Sequence, residues 1–256
     1  MIDPSARIDD KAELASDVQV GPFSVIGPDV KIGAGTVIGS HVVIKGPTTI
    51  GKENRIFQFS SIGEDPQDKK YAAEITRLEI GDRNTIREFT SMHRGTKQDK
   101  GVTKIGNDNL FMAYTHVAHD CLIGDHVILA NGASLAGHVH ISSHAILGGF
   151  TLVHQFTQIG QYSFAQMGSA ITQDIPPFVM VGGKPTKPHG INSVGMERNN
   201  ISPEDIRLIR KAYKIIYKMN FRLEDAIEQI ELLAGDSKEL SDMVSFLRNV
   251  RRGILR

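Results

Sequence analysis

The chain has no tryptophan, one cysteine and only 6% aromatic residues among its 256. Cys121 alone builds neither an internal disulfide nor a cysteine metal cage, so a reducing compartment fits. Neither charge sign is in excess: Lys+Arg and Asp+Glu both number 29. This argues against a nucleic-acid or bulk membrane-surface partner and makes any charged recognition local. No run of about twenty apolar residues occurs, and the opening Met1-Ile2-Asp3-Pro4 lacks a basic stretch followed by an apolar one. The expectation is a cytoplasmic, soluble protein and not an integral membrane protein. At 40% hydrophobic and 23% charged, it can form one large core or two domains.

What is abundant is a repeat. From Ile2 every sixth residue is aliphatic: Ile8, Leu14, Val20, Ile26, Ile32, Ile38, Ile44, Ile50, Ile56 and Ile62, many followed by glycine. The ladder lapses over Glu64 to Glu79, returns at Ile80, Ile86 and Met92, and lapses again from Arg94 to Lys104. It then runs unbroken, one residue out of phase, through Ile105, Phe111, Val117, Ile123, Leu129, Leu135, Ile141, Leu147, Val153, Ile159, Ala165 and Ile171. A period of six suits neither an amphipathic helix nor a hairpin sheet. It predicts a triangular solenoid in which the aliphatic residue points inward and the small residue after it avoids a Cβ clash. Three hexads make a coil of about eighteen residues, and coils stack at roughly 4.8 Å. The two lapses, 64–79 and 94–104, read as loops projecting from the scaffold, where ligand contacts are common.

The array stops near Asp174-Ile175-Pro176-Pro177, since proline offers no N–H to a ladder. Ser202-Pro203-Glu204-Asp205 reads as a capped helix start. Further helices are expected over 223–233 and from 241 to about residue 251. The predicted organisation is a β-solenoid domain over 1–190 and a helical domain over 191–256. The first long helix carries Arg207, Arg210, Lys211, Lys214 and Lys218, which suit either an ordinary solvated face or a docking site for an acidic protein.

Polar residues interrupt the ladder most densely at Thr115-His116-Val117-Ala118-His119-Asp120-Cys121. By the eighteen-residue spacing, His119, Gly137 and Gln155 share one column, and Asp120, His138 and Phe156 share the next. His119 and Gln155 then lie two coils apart, about 10 Å, with a glycine between them. Such a slot holds the parts of acyl transfer: an imidazole base, a carboxylate to orient it and a backbone N–H for an oxyanion. No nucleophilic side chain is required, and Cys121 reads as a buried small hydrophobe. The histidines also suit a zinc site shared between subunits, as in gamma-class carbonic anhydrases, but no carboxylate-plus-histidine spacing stands out, and no metal or cofactor is expected.

The array, His116-Val117-Ala118-His119-Asp120-Cys121, Leu135-Ala136-Gly137-His138, Val153-His154-Gln155-Phe156, Gln67-Asp68-Lys69-Lys70-Tyr71 and the helical tail, in this order, together resemble the UDP-N-acetylglucosamine O-acyltransferase family over essentially the whole chain. The resemblance implies a homotrimeric left-handed parallel β-helix with active sites between subunits. It implies transfer of a 3-hydroxyacyl chain from acyl carrier protein to the glucosamine 3-hydroxyl of UDP-N-acetylglucosamine, the first step of lipid A biosynthesis. A 3-amino acceptor would use the same base and slot. By motif, His119 would be the general base, Asp120 its partner and the Gly137 N–H the oxyanion donor. Asp68 and Lys70 would lie near sugar and phosphates; His116, His138, His154 and Gln155 would contact substrate; Asn192 and Arg198 would contact the nucleotide. The chain departs from the family pattern at Val194, where glutamate is frequent, and at Asn199, where a second arginine is usual. Met167 matches the family's acyl-chain ruler, and its bulk predicts a chain shorter than hydroxymyristoyl, around hydroxydecanoyl.

Overall fold

A computed structural model describes residues 1–256. Twenty-five short parallel strands wind into a left-handed β-helix with three flat faces, and each coil contributes one strand to each face. Sheet 1 runs in nine strands from Arg7–Ile8 to Ala170–Ile171, and sheet 2 in eight from Glu13–Leu14 to Gln158–Ile159. Sheet 3 has ten strands, from Gln19–Val20 to the hairpin Val179–Gly182 and Lys187–Ile191. Ladder residues pair with their counterparts one coil away, as Val117 does with Leu135 and Leu135 with Val153. Their side chains form one continuous apolar core of 37 buried residues, in which Ile44, Ile62, Val117 and Leu135 have no exposed surface. Each such side chain contributes roughly 1.5–3 kcal/mol by leaving water, so stacking holds together coils too short to be stable alone.

Glycine and the corners divide the turning between them. A Cβ on Gly33 would stand 2.7 Å from the backbone of Gly51 in the next coil, so this glycine answers to the closeness of the coils. The left-handed backbone conformation falls mostly on non-glycine corner residues, among them Asp120, His138 and Phe156 at φ 59°, 62° and 65°, and on a few corner glycines such as Gly132 at φ 70°.

Strand pairing reaches further into the lapses than the ladder suggests. Arg77–Ile80 pairs with Val102–Ile105, which confines the projecting loops to 65–76 and 94–101. Past the prolines the solenoid gains one more sheet 3 strand, Val179–Gly182, and an antiparallel return, Lys187–Ile191. Four helices follow: α1 (Ser193–Arg198), α2 (Pro203–Lys218), α3 (Leu223–Ala234) and α4 (Lys238–Arg248). Ser202 caps α2 as expected, its Oγ accepting from the Asp205 N–H at 3.0 Å. The short α1 has too little apolar periodicity to be foreseen, and α4 starts earlier than expected because Ser237 caps it. Beyond α4 the tail returns to the solenoid: buried Asp174 accepts N–H bonds from Gln158, Arg251 and Arg252 at 2.8, 2.7 and 3.3 Å.

Candidate active site

The corner between sheets 1 and 2 holds His119 and Asp120, and the turn geometry follows from the coil. Asp120 takes the left-handed corner position, and its N–H donates to Thr103 Oγ1 at 2.8 Å. Its buried carboxylate accepts from His119 Nδ1 at 2.9 Å. Thr96 adds two more donors, its N–H at 2.9 and 3.0 Å to the two carboxylate oxygens and its hydroxyl at 2.6 Å to Oδ2. Burial opposes the charge on Asp120, but the bonds from His119 and Thr96 outweigh it and hold the carboxyl below its ordinary range. An ionised Asp120 assigns the neutral His119 proton to Nδ1 and leaves Nε2 as a free acceptor.

The expected slot above Gly137 is filled by the His119 ring itself. A Cβ on Gly137 would lie 2.5 Å from His119 Cε1 and 2.7 Å from Nε2. The glycine therefore seats the imidazole beside the Gly137 backbone. Its N–H lies outside the strands and donates to no atom of the chain.

His138 completes the cluster. Its ring stacks on Phe156 at 4.4 Å and meets His119 edge-on at 5.1 Å. Asp99, from the second loop, accepts from His138 Nδ1 at 3.0 Å, and His138 Nε2 stands 3.9 Å from Asp120 Oδ2. His119, Asp120 and His138 each bring one ligand atom within 4.8 Å of the others, a spacing a metal ion could use.

A cavity of about 760 Å³ opens over this cluster, and both loops reach it: Asp68 and Lys70 from the first, Asp99 from the second, with Gln155 and the tail residue Arg251. Asp68 shapes its own loop, accepting from the Lys70 N–H at 2.9 Å. A second groove of about 460 Å³ continues from His119 along sheet 1 past His116, Ser134 and Leu152. His116 Nδ1 lies 2.8 Å from Ser91 Oγ, and burial together with the charge of His119 lowers its pKa.

Three of the expected substrate contacts lie elsewhere in the single chain. His154 is exposed outside both cavities and turns Nδ1 to its neighbour's Gln155 carbonyl at 3.1 Å. Asn192 caps α1 through the Gly195 N–H at 3.0 Å and donates to the Tyr162 carbonyl at 2.9 Å. Arg198 ends α1 in solvent, and Val194 is also exposed. Met167 is 77% exposed at the corner between sheets 3 and 1, which excludes packing between coils. Cys121 is fully buried, and burial pushes its thiol up to about 12, so it is no nucleophile.

Sequence reading missed four residues that matter to this geometry: His93, Arg94, Thr96 and Asp99. The first is buried, with an unpartnered Nδ1, and its ring meets His116 edge-on at 4.9 Å. Arg94 donates to the carbonyls of Gly46 and Gly63 at 2.9 and 2.6 Å, to the Tyr71 hydroxyl at 3.1 Å and to Asp65. It thereby ties the first loop to the coil. Their one signal in the sequence was their place beside or within the second lapse.

Comparisons with known proteins agree across the chain. Residues 174–255 match the family model described as Udp N-acetylglucosamine O-acyltransferase; Domain 2, and residues 11–46 and 103–137 match the bacterial transferase hexapeptide model. The acyl-[acyl-carrier-protein]--UDP-N-acetylglucosamine O-acyltransferase of Halorhodospira halophila is 55% identical over 255 residues, covering all of this chain and 99% of that protein. The protein of the same name from Herminiimonas arsenicoxydans is 53% identical over 263 residues, with 100% and 99% covered. The solved structure of LpxA from Acinetobacter baumannii superposes with a TM-score of 0.97 at 49% identity, covering 100% of this chain and 99% of that one.

Proposed function

Because the chain belongs to the acyl-[acyl-carrier-protein]--UDP-N-acetylglucosamine O-acyltransferase family and is an O-acyltransferase, we propose that it moves a 3-hydroxyacyl chain from acyl carrier protein to the 3-hydroxyl of UDP-N-acetylglucosamine by direct attack at His119. The observation that carries this reading is the seating of the His119 imidazole beside the Gly137 backbone, with Nδ1 held by Asp120. His119 Nε2 takes the proton of the acceptor hydroxyl as its oxygen bonds to the thioester carbon. The Gly137 N–H stabilises the oxyanion, and the collapsing intermediate expels the thiolate, which takes the proton back from the imidazolium. Asp120 stays ionised and stabilises that imidazolium, as an acid-base partner should.

In this reading Asp68 and Lys70 bind sugar and phosphate at the mouth of the cavity, with His138 and Gln155 on its walls. The acyl chain follows the groove past His116 towards Met167. The placement of His154, Asn192 and Arg198 outside the cavity supports sites completed by a second copy, in a homotrimer. An exposed aromatic column along the corner between sheets 3 and 1 supports such an assembly: Phe23, Phe59, Phe89, Tyr114 and Phe150 are between 44% and 69% exposed. Arg207, Arg210, Lys211, Lys214 and Lys218 lie exposed along α2 and fit an acidic carrier protein.

Turnover of hydroxyacyl carrier protein and UDP-N-acetylglucosamine by wild type and His119→Ala tests the proposal. Loss of at least about a thousandfold in kcat with the assembly intact supports it. Retained turnover in the variant would overturn the role of His119, absence of turnover in wild type would favour a silent scaffold, and turnover abolished by a chelator would favour a zinc enzyme.

A further inference from the structure

Thr96 sits 24 positions before Asp120 in the chain, yet both are buried against each other at the mouth of the second loop. A buried threonine has an easy partner in a nearby carbonyl. Here the hydroxyl is spent on a carboxylate instead, at 2.6 Å, and the backbone N–H of the same residue spans both carboxylate oxygens. The loop is built to present these donors. A Cβ on Gly95 would collide with the Val102 backbone, so the strand leaving the loop passes directly over this residue, and the carbonyl of Thr96 accepts from Gly101 at 3.1 Å to close the turn.

The consequence concerns which imidazole Asp120 serves. Two face it: His119 Nδ1 at 2.9 Å and His138 Nε2 at 3.9 Å from the same oxygen. A carboxylate with a free torsion could turn towards either. Thr96 restrains that torsion, because its N–H spans both oxygens and its hydroxyl meets the same Oδ2 that His119 Nδ1 contacts, while Asp99 holds Nδ1 of His138. We propose that Thr96 is a positioning residue for acyl transfer: its N–H and hydroxyl aim the Asp120 carboxylate at His119 Nδ1, fixing the tautomer that leaves Nε2 free for the acceptor hydroxyl. The inference rests on the reading of His119 as the general base.

The charged and titratable groups around the dyad are His138, His116 and His93, then Asp99 behind His138, with Asp68, Lys69, Lys70 and Arg251 across the cavity. None of these donates to the Asp120 carboxylate within hydrogen-bond distance, so Thr96→Val removes a donor that no neighbour replaces. Without it the carboxylate is more basic and shares itself between two imidazoles. The acid limb of the kcat/KM profile then moves to higher pH.

The test compares wild type, Thr96→Val and Thr96→Ser in two arms. In steady-state turnover, Thr96→Val should lower kcat about tenfold with KM for both substrates little changed, since one hydrogen bond to a charged group is lost. Its acid limb should rise, and Thr96→Ser, which keeps the hydroxyl, should restore both. In the second arm, nitrogen-15 spectra of the histidines without substrate should show His119 as the Nδ1–H tautomer in wild type and Thr96→Ser, and as a tautomer mixture in Thr96→Val. Wild-type kinetics and a wild-type His119 spectrum in Thr96→Val overturn the proposal, as does Thr96→Ser failing like Thr96→Val in both arms. If wild type turns over neither substrate, the reaction assigned above fails, and the spectra alone then decide whether Thr96 sets the His119 tautomer.

Discussion

The imidazole of His119 rests on the Cα of Gly137, eighteen residues further along the chain and one coil away, where any side chain would occupy the ring's place. The backbone of Gly137 does not demand glycine, since its φ is not in the left-handed region. The requirement comes wholly from the histidine. Gly137→Ala should therefore fold and melt close to wild type while losing at least about a hundredfold in kcat, because the base is displaced by about an ångström from its working position. Circular dichroism and steady-state turnover together check this.

Arg94 is the link between the coil and the loop that carries Asp68 and Lys70. Its fork holds two carbonyls, Tyr71 and Asp65 at once, a pattern lysine cannot copy. Arg94→Lys is expected to raise KM for the nucleotide sugar about tenfold, the loss of roughly one charged hydrogen bond's worth of binding, with kcat changed far less. Protease cleavage within 65–76 should become faster in the same variant.

His93 makes stability depend on pH. Burial, reinforced by the neighbouring His116, holds its pKa at about 4, against an ordinary value of 6.5. Between those values the unfolded chain binds a proton that the folded chain refuses. The contribution is thus fully present above about pH 6.5 and is lost as pH falls towards 4, amounting to about 3 kcal/mol. His93→Phe should flatten the pH dependence of the urea midpoint between pH 7 and pH 4.5, and a midpoint that falls with pH as steeply as in wild type would refute it.

Met167 governs chain length if the acyl group follows the groove along sheet 1. Met167 does not line that groove within the single chain, and its exposed thioether is free to meet an acyl chain that runs beyond it. Met167→Gly should shift the preferred donor from around hydroxydecanoyl to a longer chain, with relative kcat/KM for a donor four methylenes longer rising by about tenfold or more. A series of hydroxyacyl carrier proteins reads this directly, and a wild-type preference for the longest donor would contradict the role.

The period-six ladder was legible because it records packing that repeats in every coil. Ile26, Ile44 and Ile62 fall one below another, and the same arithmetic put His119 over Gly137 and Asp120 under His138. Orientation was not legible. The eighteen-residue spacing predicts an open slot between His119 and Gln155, whereas the imidazole lies down on the glycine and takes that space. Glycine spacing marks where a side chain is absent, and a torsion angle decides what fills the gap.

The sequence by itself determined the solenoid, its register and the column that carries the base, since each depends on contacts at a fixed separation along the chain. The loops have no period, and they change the separation itself: Ile62 pairs with Met92 and Ile80 with Ile105, at intervals no repeat announces. Only the tertiary structure decided that Thr96 meets Asp120, that Asp99 meets His138, that Arg94 grips the first loop and that Asp174 draws Arg251 to the cavity. These pairings join irregular segments through buried hydrogen bonds. Their geometry is set by how each loop closes over the scaffold, which local residue order does not encode.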